Sequence, residues 1–219
     1  MTLPLPIFPI LLHKTIVDNY NSNIKKELID YCYNERNNNP KGLKRSNKAN
    51  SWHSSDTQMD TENILSKTLL ISISNYFNKQ NTFKEGTLFK ITNAWININP
   101  IGGSNGLHNH PNSHLSGVFW VKIPKNSGNI IFFDPNYFTE AITISAYSKK
   151  VQSFANKYSH FWLNSTEGEI IIFPSHLMHE VEENLNEKNE DRISISFNID
   201  LISPTPILNT DTSYRTPLL

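Results

Sequence analysis

The sequence predicts a mainly β fold with flanking helices, a sandwich or barrel of short strands. Two observations carry this. After residue 85 the chain divides into short apolar runs separated by Gly, Pro and Asp turns, the texture of an antiparallel β domain. Before it, two stretches repeat apolar residues at helical spacing. The 219 residues fit a single domain that buries its own core. It would comprise helical support over about 1–84, a β core over about 85–202 and a Pro- and Thr-rich C-terminal arm over 203–219.

The elements follow in order. Residues 1–17 are expected to be extended, because Pro4, Pro6 and Pro9 exclude a helix while Ile7, Phe8, Ile10 and Leu11 supply apolar surface. A helix is predicted over 18–35, capped by Asp18 or Asn19, with Tyr20, Ile24, Leu28 and Tyr31 on one face. Residues 37–56 are polar and loop-like. A second helix is predicted over 61–78, with Asp60 as its cap and a stripe of Leu65, Leu69, Ile73 and Tyr76. Both helices would pack on the outside of a sheet. Strands are expected at 87–99, 114–123, 129–133, 169–173, 179–183 and 193–201. Residues 139–168 form a long connection with some helical or strand content of its own.

Bulk chemistry excludes several function classes. Formal net charge is zero and the pI about 7.1, so no broad electrostatic grip on nucleic acid or an anionic membrane is expected. The basic runs Lys41 to Lys48 and Lys149-Lys150 read as solvated loops. Only 18% of residues are charged; Asn is frequent in their place, which we read as a compositional habit without chemical meaning. One cysteine, Cys32, permits no internal disulfide and fits a reducing cytosol. Prolines interrupt the apolar N-terminus, which does not read as a signal peptide, and no stretch is long enough to span a bilayer. A soluble, cytoplasmic protein is the expectation.

Three signals carry chemistry. In His108-Asn109-His110-Pro111, residues i and i+2 of a strand project from one face, so two imidazoles can reach one metal ion. Imidazole suits iron, zinc, copper and nickel. His179 lies between two apolar runs, far enough along the chain to supply a third ligand from a distant strand. In Asp191-Arg192-Ile193-Ser194-Ile195-Ser196-Phe197-Asn198, Arg192, Ser194, Ser196 and Asn198 share one face and the apolar residues the other. That polar face points either to water or into a barrel cavity, where Arg192 would suit bidentate capture of a carboxylate. Trp95, Phe119, Trp120, Tyr137, Phe161 and Trp162 lie close enough to these motifs in sequence to line a pocket.

Taken in order, Trp95-x-Asn97, Gly102-Gly103, Asn105, His108-x-His110-Pro111, Leu115-Ser116-Gly117-Val118-Phe119-Trp120, Gly168 to Ser175, His179-x-Val181 and Arg192-x-Ser194-x-Ser196-Phe197-Asn198 resemble a known family. It comprises 2-oxoglutarate/iron(II) oxygenases frequent in phages of marine bacteria and in some bacteria. Trp52-His53-Ser54-Ser55 is similar to an upstream element of that family. The resemblance covers roughly residues 50–200. It implies a double-stranded β-helix, a jelly roll of about eight core strands related to the cupins. It implies iron(II) held by His108, His110 and His179, with 2-oxoglutarate as co-substrate and O2 and an unknown substrate as partners. It also implies that Arg192, with Ser194 beside it, binds the C5 carboxylate of 2-oxoglutarate. For a phage-encoded member the compartment would be the host cytoplasm.

One departure matters. The wider superfamily has a carboxylate where this chain has His110. His114 and Glu180 are the other nearby donors, ranked below His110. Two further readings stand beside the oxygenase: a cupin-type metal dioxygenase or isomerase without 2-oxoglutarate, and a non-enzymatic β-barrel binding module.

Overall fold

A computed structural model describes residues 10–57, 59, 63–135, 148–149 and 160–202. In chain order its elements are β1 (His13–Ile16), α1 (Ser22–Asn38), β2 (Asn47–Lys48), β3 (Trp52–His53), α2 (Ile64–Gln80), β4 (Leu88–Asn99), β5 (Ser104–His108), β6 (Leu115–Lys122), β7 (Ile130–Phe133), β8 (His160–Leu163), β9 (Glu169–Pro174), β10 (His179–Val181) and β11 (Arg192–Ile202). The strands form two antiparallel sheets, β1-β9-β6-β11-β4-β3 and β2-β5-β10-β7-β8.

Strict alternation builds the layers. On β11, Ile193, Ile195, Phe197 and Ile199 are fully buried against the helices, together with Ile96 and Ile98 of β4 and Phe119 and Val121 of β6. Helix α1 contributes Leu28 and Cys32 to this layer, and α2 contributes Leu65, Leu69, Ile73 and Phe77. Fully burying one such side chain contributes roughly 1.5–3 kcal/mol, so this row anchors the helices to the six-stranded sheet. The opposite face meets the five-stranded sheet through a second cluster, in which Val118, Trp120, Ile171 and Phe173 face Ile130 and Phe132. The expected mainly β architecture with outer helices is therefore present, although more short strands are found than the eight expected.

The helix starts differ from expectation for a capping reason. Asn21, not Asp18 or Asn19, caps α1, its side chain accepting from the Asn23 and Ile24 amides at 3.0 and 3.1 Å. Asn19 instead turns the chain in the left-handed region at φ 55°, and Asp18 accepts from Asn75. Asn63 caps α2, accepting from the Ser66 amide at 2.8 Å; Asp60 lies outside the described residues. The stretch 37–56 is more ordered than a polar loop: Trp52, His53 and Ser54 are buried. Of the long connection, residues 160–163 form a strand; Tyr137 and the arm 203–219 lie outside the described residues. No helix among the described residues is long and apolar enough to cross a membrane.

Candidate metal centre

The five-stranded sheet brings two of the histidines face to face. His179, at the start of β10, is paired directly with His108, at the end of β5, and their rings lie 4.3 Å apart. Strand β5 ends at His108, so His110 is not a strand residue as the i, i+2 reasoning assumed. It sits in the following turn, where its backbone N–H donates to the Ser175 carbonyl at 2.8 Å. That turn still delivers the ring to the cluster: His110 lies 5.1 Å from His108 and stacks on His179 at 5.2 Å. One nitrogen from each of the three rings lies within 4.8 Å of the others.

Protonation suits these rings to metal binding. The His108 Nδ1–H donates to the Gly106 carbonyl at 2.7 Å, and the His179 Nδ1–H to the Leu177 carbonyl at 2.9 Å. Each hydrogen bond fixes the tautomer that leaves Nε2 as a lone-pair donor. Burial lowers all three pKa values. Burial, helped by the neighbouring His108, takes His110 to about 4 and His179 to about 3. All three are therefore neutral near pH 7, as a metal ligand must be.

The other candidate donors are elsewhere. His114 is on the outside, 3.3 Å from Asp200. Glu180 follows His179 on a strand and so projects from the opposite face.

The polar row of β11 points inward, resolving the choice between water and cavity. Ser194 and Ser196 line one chamber with the three histidines, Asn97 and Asn105. The chamber has room for about 20 Å³, close to one water-sized body. Arg192 is fully buried at the same strand's start, paired in register with Asn99. Its Nη1 donates to the Ser127 carbonyl and, at 2.8 Å, to the Glu182 carbonyl. Its Nε and Nη2 have no partner among the described residues. Burial pushes the guanidinium down to about 10, partly offset by Glu182, so it remains charged at pH 7. A buried cation with one edge of its donor fork unsatisfied fits an incoming carboxylate, which accepts two parallel N–H bonds. The donor set therefore fits a divalent metal, and the guanidinium fits a carboxylate.

Sequence reasoning missed part of the surroundings. His53 stacks on Trp95 at 5.7 Å, and Trp95 stacks on His110 at 5.3 Å, extending the column of parallel rings from His179 outward. Nothing in the sequence marked His53 beyond its place in the Trp52 element. The asparagines are not mere composition. Asn99 donates to Ser51 and Asn105, Asn105 to Asn97, and Asn97 to Ser196, a buried chain along the chamber wall. Of the aromatic candidates, Trp95 lines the chamber and Trp120 belongs to the inner core. Phe119 faces the helices, and Phe161 and Trp162 are exposed.

Residues 93–198, which contain all three histidines and Arg192, match the model of a family described as "Putative 2OG-Fe(II) oxygenase". The fold is similar to a prolyl-4-hydroxylase from Pseudomonas putida, with TM-score 0.57 and 12% identity over 86% of this chain and 91% of that one. It is similar to a Trichoplax adhaerens prolyl hydroxylase solved with a hypoxia inducible factor peptide fragment, with TM-score 0.57 and 13% identity over 86% and 83%. It is also similar to HygX from Streptomyces hygroscopicus, solved with nickel and 2-oxoglutarate bound, with TM-score 0.54 and 9% identity over 86% and 82%. At these identities the structural likeness speaks for the double-stranded β-helix alone. No curated protein matches the chain in sequence. Residues 93–198, somewhat less than half of the chain, thus match a family whose description names iron(II) and 2-oxoglutarate, and the fold agrees with that match.

Proposed function

We propose that this chain is a 2-oxoglutarate-dependent oxygenase that hydroxylates its substrate and releases succinate and CO2. His108, His110 and His179 hold iron(II), and Arg192 with Ser194 anchors the C5 carboxylate of 2-oxoglutarate. The observation that carries the reading is the half-satisfied, fully buried guanidinium of Arg192 on the wall that also carries the histidine chamber. A cupin-type centre that does not use 2-oxoglutarate has no need of such a fork.

When bound, iron(II) and 2-oxoglutarate activate O2: one oxygen atom enters succinate as CO2 leaves, and the other enters the substrate. The chain's own residues prepare that chemistry. The two backbone carbonyls on the Nδ1 atoms of His108 and His179 hold the rings in their donating tautomer. The carbonyls of Ser127 and Glu182 hold Nη1 of Arg192 and leave Nε and Nη2 without a partner among the described residues, free to donate to a carboxylate. Val118, Ile130, Phe173 and Val181 line the chamber and keep bulk water from it.

Two measurements test this. Protein purified under argon should bind one iron(II) per chain. Adding 2-oxoglutarate should then produce a metal-to-ligand charge-transfer band, and admitting O2 should yield succinate. Iron binding without the band would return the chain to a metal enzyme independent of 2-oxoglutarate. The absence of iron binding would refute the histidine assignment.

A further inference from the structure

Outside the chamber, a cleft of about 410 Å³ opens over the histidines, a size that suits a small molecule or one protruding side chain. His108, His110 and Trp95 belong both to its lining and to that of the chamber. A molecule in the cleft therefore rests against the proposed metal ligands. Apart from Leu107, the remaining lining is polar but unevenly charged. It includes Ser46 and the amides Asn93, Asn109 and Asn198, and Arg45 is its cation; no carboxylate is among the described lining residues.

The main chain fixes where Arg45 lies. It belongs to the basic run Lys41 to Lys48, which the sequence suggested was a solvated loop. Its amide donates to Asn47 Oδ1 at 2.7 Å. The next residue, Ser46, accepts from the Gly106 amide at 2.8 Å, and β2 pairs Asn47 with Asn105 and Lys48 with Ser104. The run is thereby bound to β5, the strand that carries His108. Lys48 lies over Gly106, its Nζ 2.9 Å from where a Cβ at that glycine would stand. Arg45 is thus the one cation among the described lining residues of the cleft, and Lys48 lies elsewhere on the same run, over β5. Asp56 is the carboxylate near Arg45, at 3.7 Å, with both side chains close to half exposed. A pair so long and so solvated is weak and holds the guanidinium loosely. Asp56 also accepts from Asn93 Nδ2 at 3.2 Å, which ties a second cleft residue to the same carboxylate.

We propose that the substrate carries a carboxylate or phosphate group and that Arg45 is the residue that selects it. This rests on the oxygenase reading above and names its substrate class. Arg45 gives the anion a forked donor, the surrounding amides and Ser46 supply further hydrogen bonds, and a described lining with one arginine and no carboxylate favours approach of negative charge. The cleft's small volume favours a compact anionic group over a polymer.

The test uses the full chain in two preparations, metal-free and loaded anaerobically with iron(II) and saturating 2-oxoglutarate. Each is titrated calorimetrically with benzoate and phenyl phosphate, and with the uncharged benzamide and phenol. In both preparations at least one anion should bind about tenfold more tightly than its neutral counterpart, the scale of one partly solvated charge-assisted contact. Arg45→Gln should abolish that preference and Arg45→Lys should keep most of it; Arg45 is exposed, so neither substitution threatens the fold. The two anions separate carboxylate from phosphate selection. No preference in the wild type, or a preference that survives Arg45→Gln, overturns the proposal. Failure of the loaded complex to form would instead count against the oxygenase reading, while the metal-free titration still decides the anion question.

Discussion

Arg192→Lys separates the charge of the anchor from its shape. Arginine serves two sets of acceptors at once, the Ser127 and Glu182 carbonyls on Nη1 and, by our assignment, a carboxylate on Nε and Nη2. A lysine ammonium keeps the charge but cannot present two parallel prongs while also holding both carbonyls. Losing one charge-assisted hydrogen bond costs roughly 1.5–3 kcal/mol, so 2-oxoglutarate should bind about ten- to a hundredfold more weakly. A carbonyl left without a donor costs a further ~1–3 kcal/mol of stability, which lowers the melting temperature by several degrees in a chain of this size. The assay is an anaerobic titration of 2-oxoglutarate into the iron(II) protein, followed by the charge-transfer band, with a thermal melt of each protein. Iron affinity should be unchanged, because Arg192 is not a ligand in this assignment. Wild-type affinity for 2-oxoglutarate in the lysine variant would show that the fork is not the anchor.

The remaining predictions concern stability. The metal-free protein should weaken as pH falls below about 6.5. The unfolded chain then takes up protons near the ordinary imidazole value of 6.5, while folded His110 and His179 refuse them until about 4 and 3. Their contribution is complete above 6.5 and declines by up to about 1.4 kcal/mol per pH unit for each ring as pH falls toward those values. Urea midpoints at pH 7.5 and 5 measure it, and equal midpoints would contradict the buried, neutral state of the cluster. Gly117→Ala should destabilise by about 1–3 kcal/mol. A Cβ there would stand 2.3 Å from Phe197 Cζ and 2.9 Å from the Ile171 carbonyl, both held in the sheet; an unchanged melting curve would show that Phe197 can yield.

The sequence made the long strands legible and the short ones obscure, for one physical reason. Alternation in β11 and the apolar runs of β6 and β9 announce themselves because one face of each must be buried. Strand β5 reads Ser-Asn-Gly-Leu-His and has no β-branched residue, while β2 and β3 are two residues each; pairing with neighbours, not propensity, makes them strands. The helices were recognisable from their stripes, but the start of α1 was misplaced because Asp18, Asn19 and Asn21 are all suited to capping; Asp18 is engaged by Asn75 and Asn19 turns the chain, which leaves the cap to Asn21. At the site, His108 and His179 could be suspected from position. Register between β5 and β10 places them opposite each other, and no local pattern carries that. His53 and the asparagine chain were invisible because each is tied to residues far off in sequence: His53 stacks on Trp95, and Asn97 bonds Ser196.

In the assignment proposed above, His110 serves as a ligand in place of a carboxylate, and this has an electrostatic consequence that connects the chamber to the cleft. Among the described residues, no aspartate or glutamate joins the cluster of three imidazoles. Relative to a site with one carboxylate ligand, a divalent ion held here leaves the assembly one unit more positive, whatever the surroundings contribute. That charge sits among buried side chains, where water screens it poorly, so it is not cheaply left uncompensated. Ser116, Ser175 and Asn198 close a neutral hydrogen-bonded set on the same inner face and offer dipoles without charge. 2-Oxoglutarate brings the same two negative charges to either kind of site, so the difference persists after it binds. With iron(II) and 2-oxoglutarate bound, a three-histidine centre would be neutral where a one-carboxylate centre would carry a negative charge, so an anionic substrate would meet less repulsion here. A cleft with Arg45 on its wall and no carboxylate among its described lining residues excludes nothing negative and repels what is positive. The missing ligand charge and the cleft's bias thus select in the same direction.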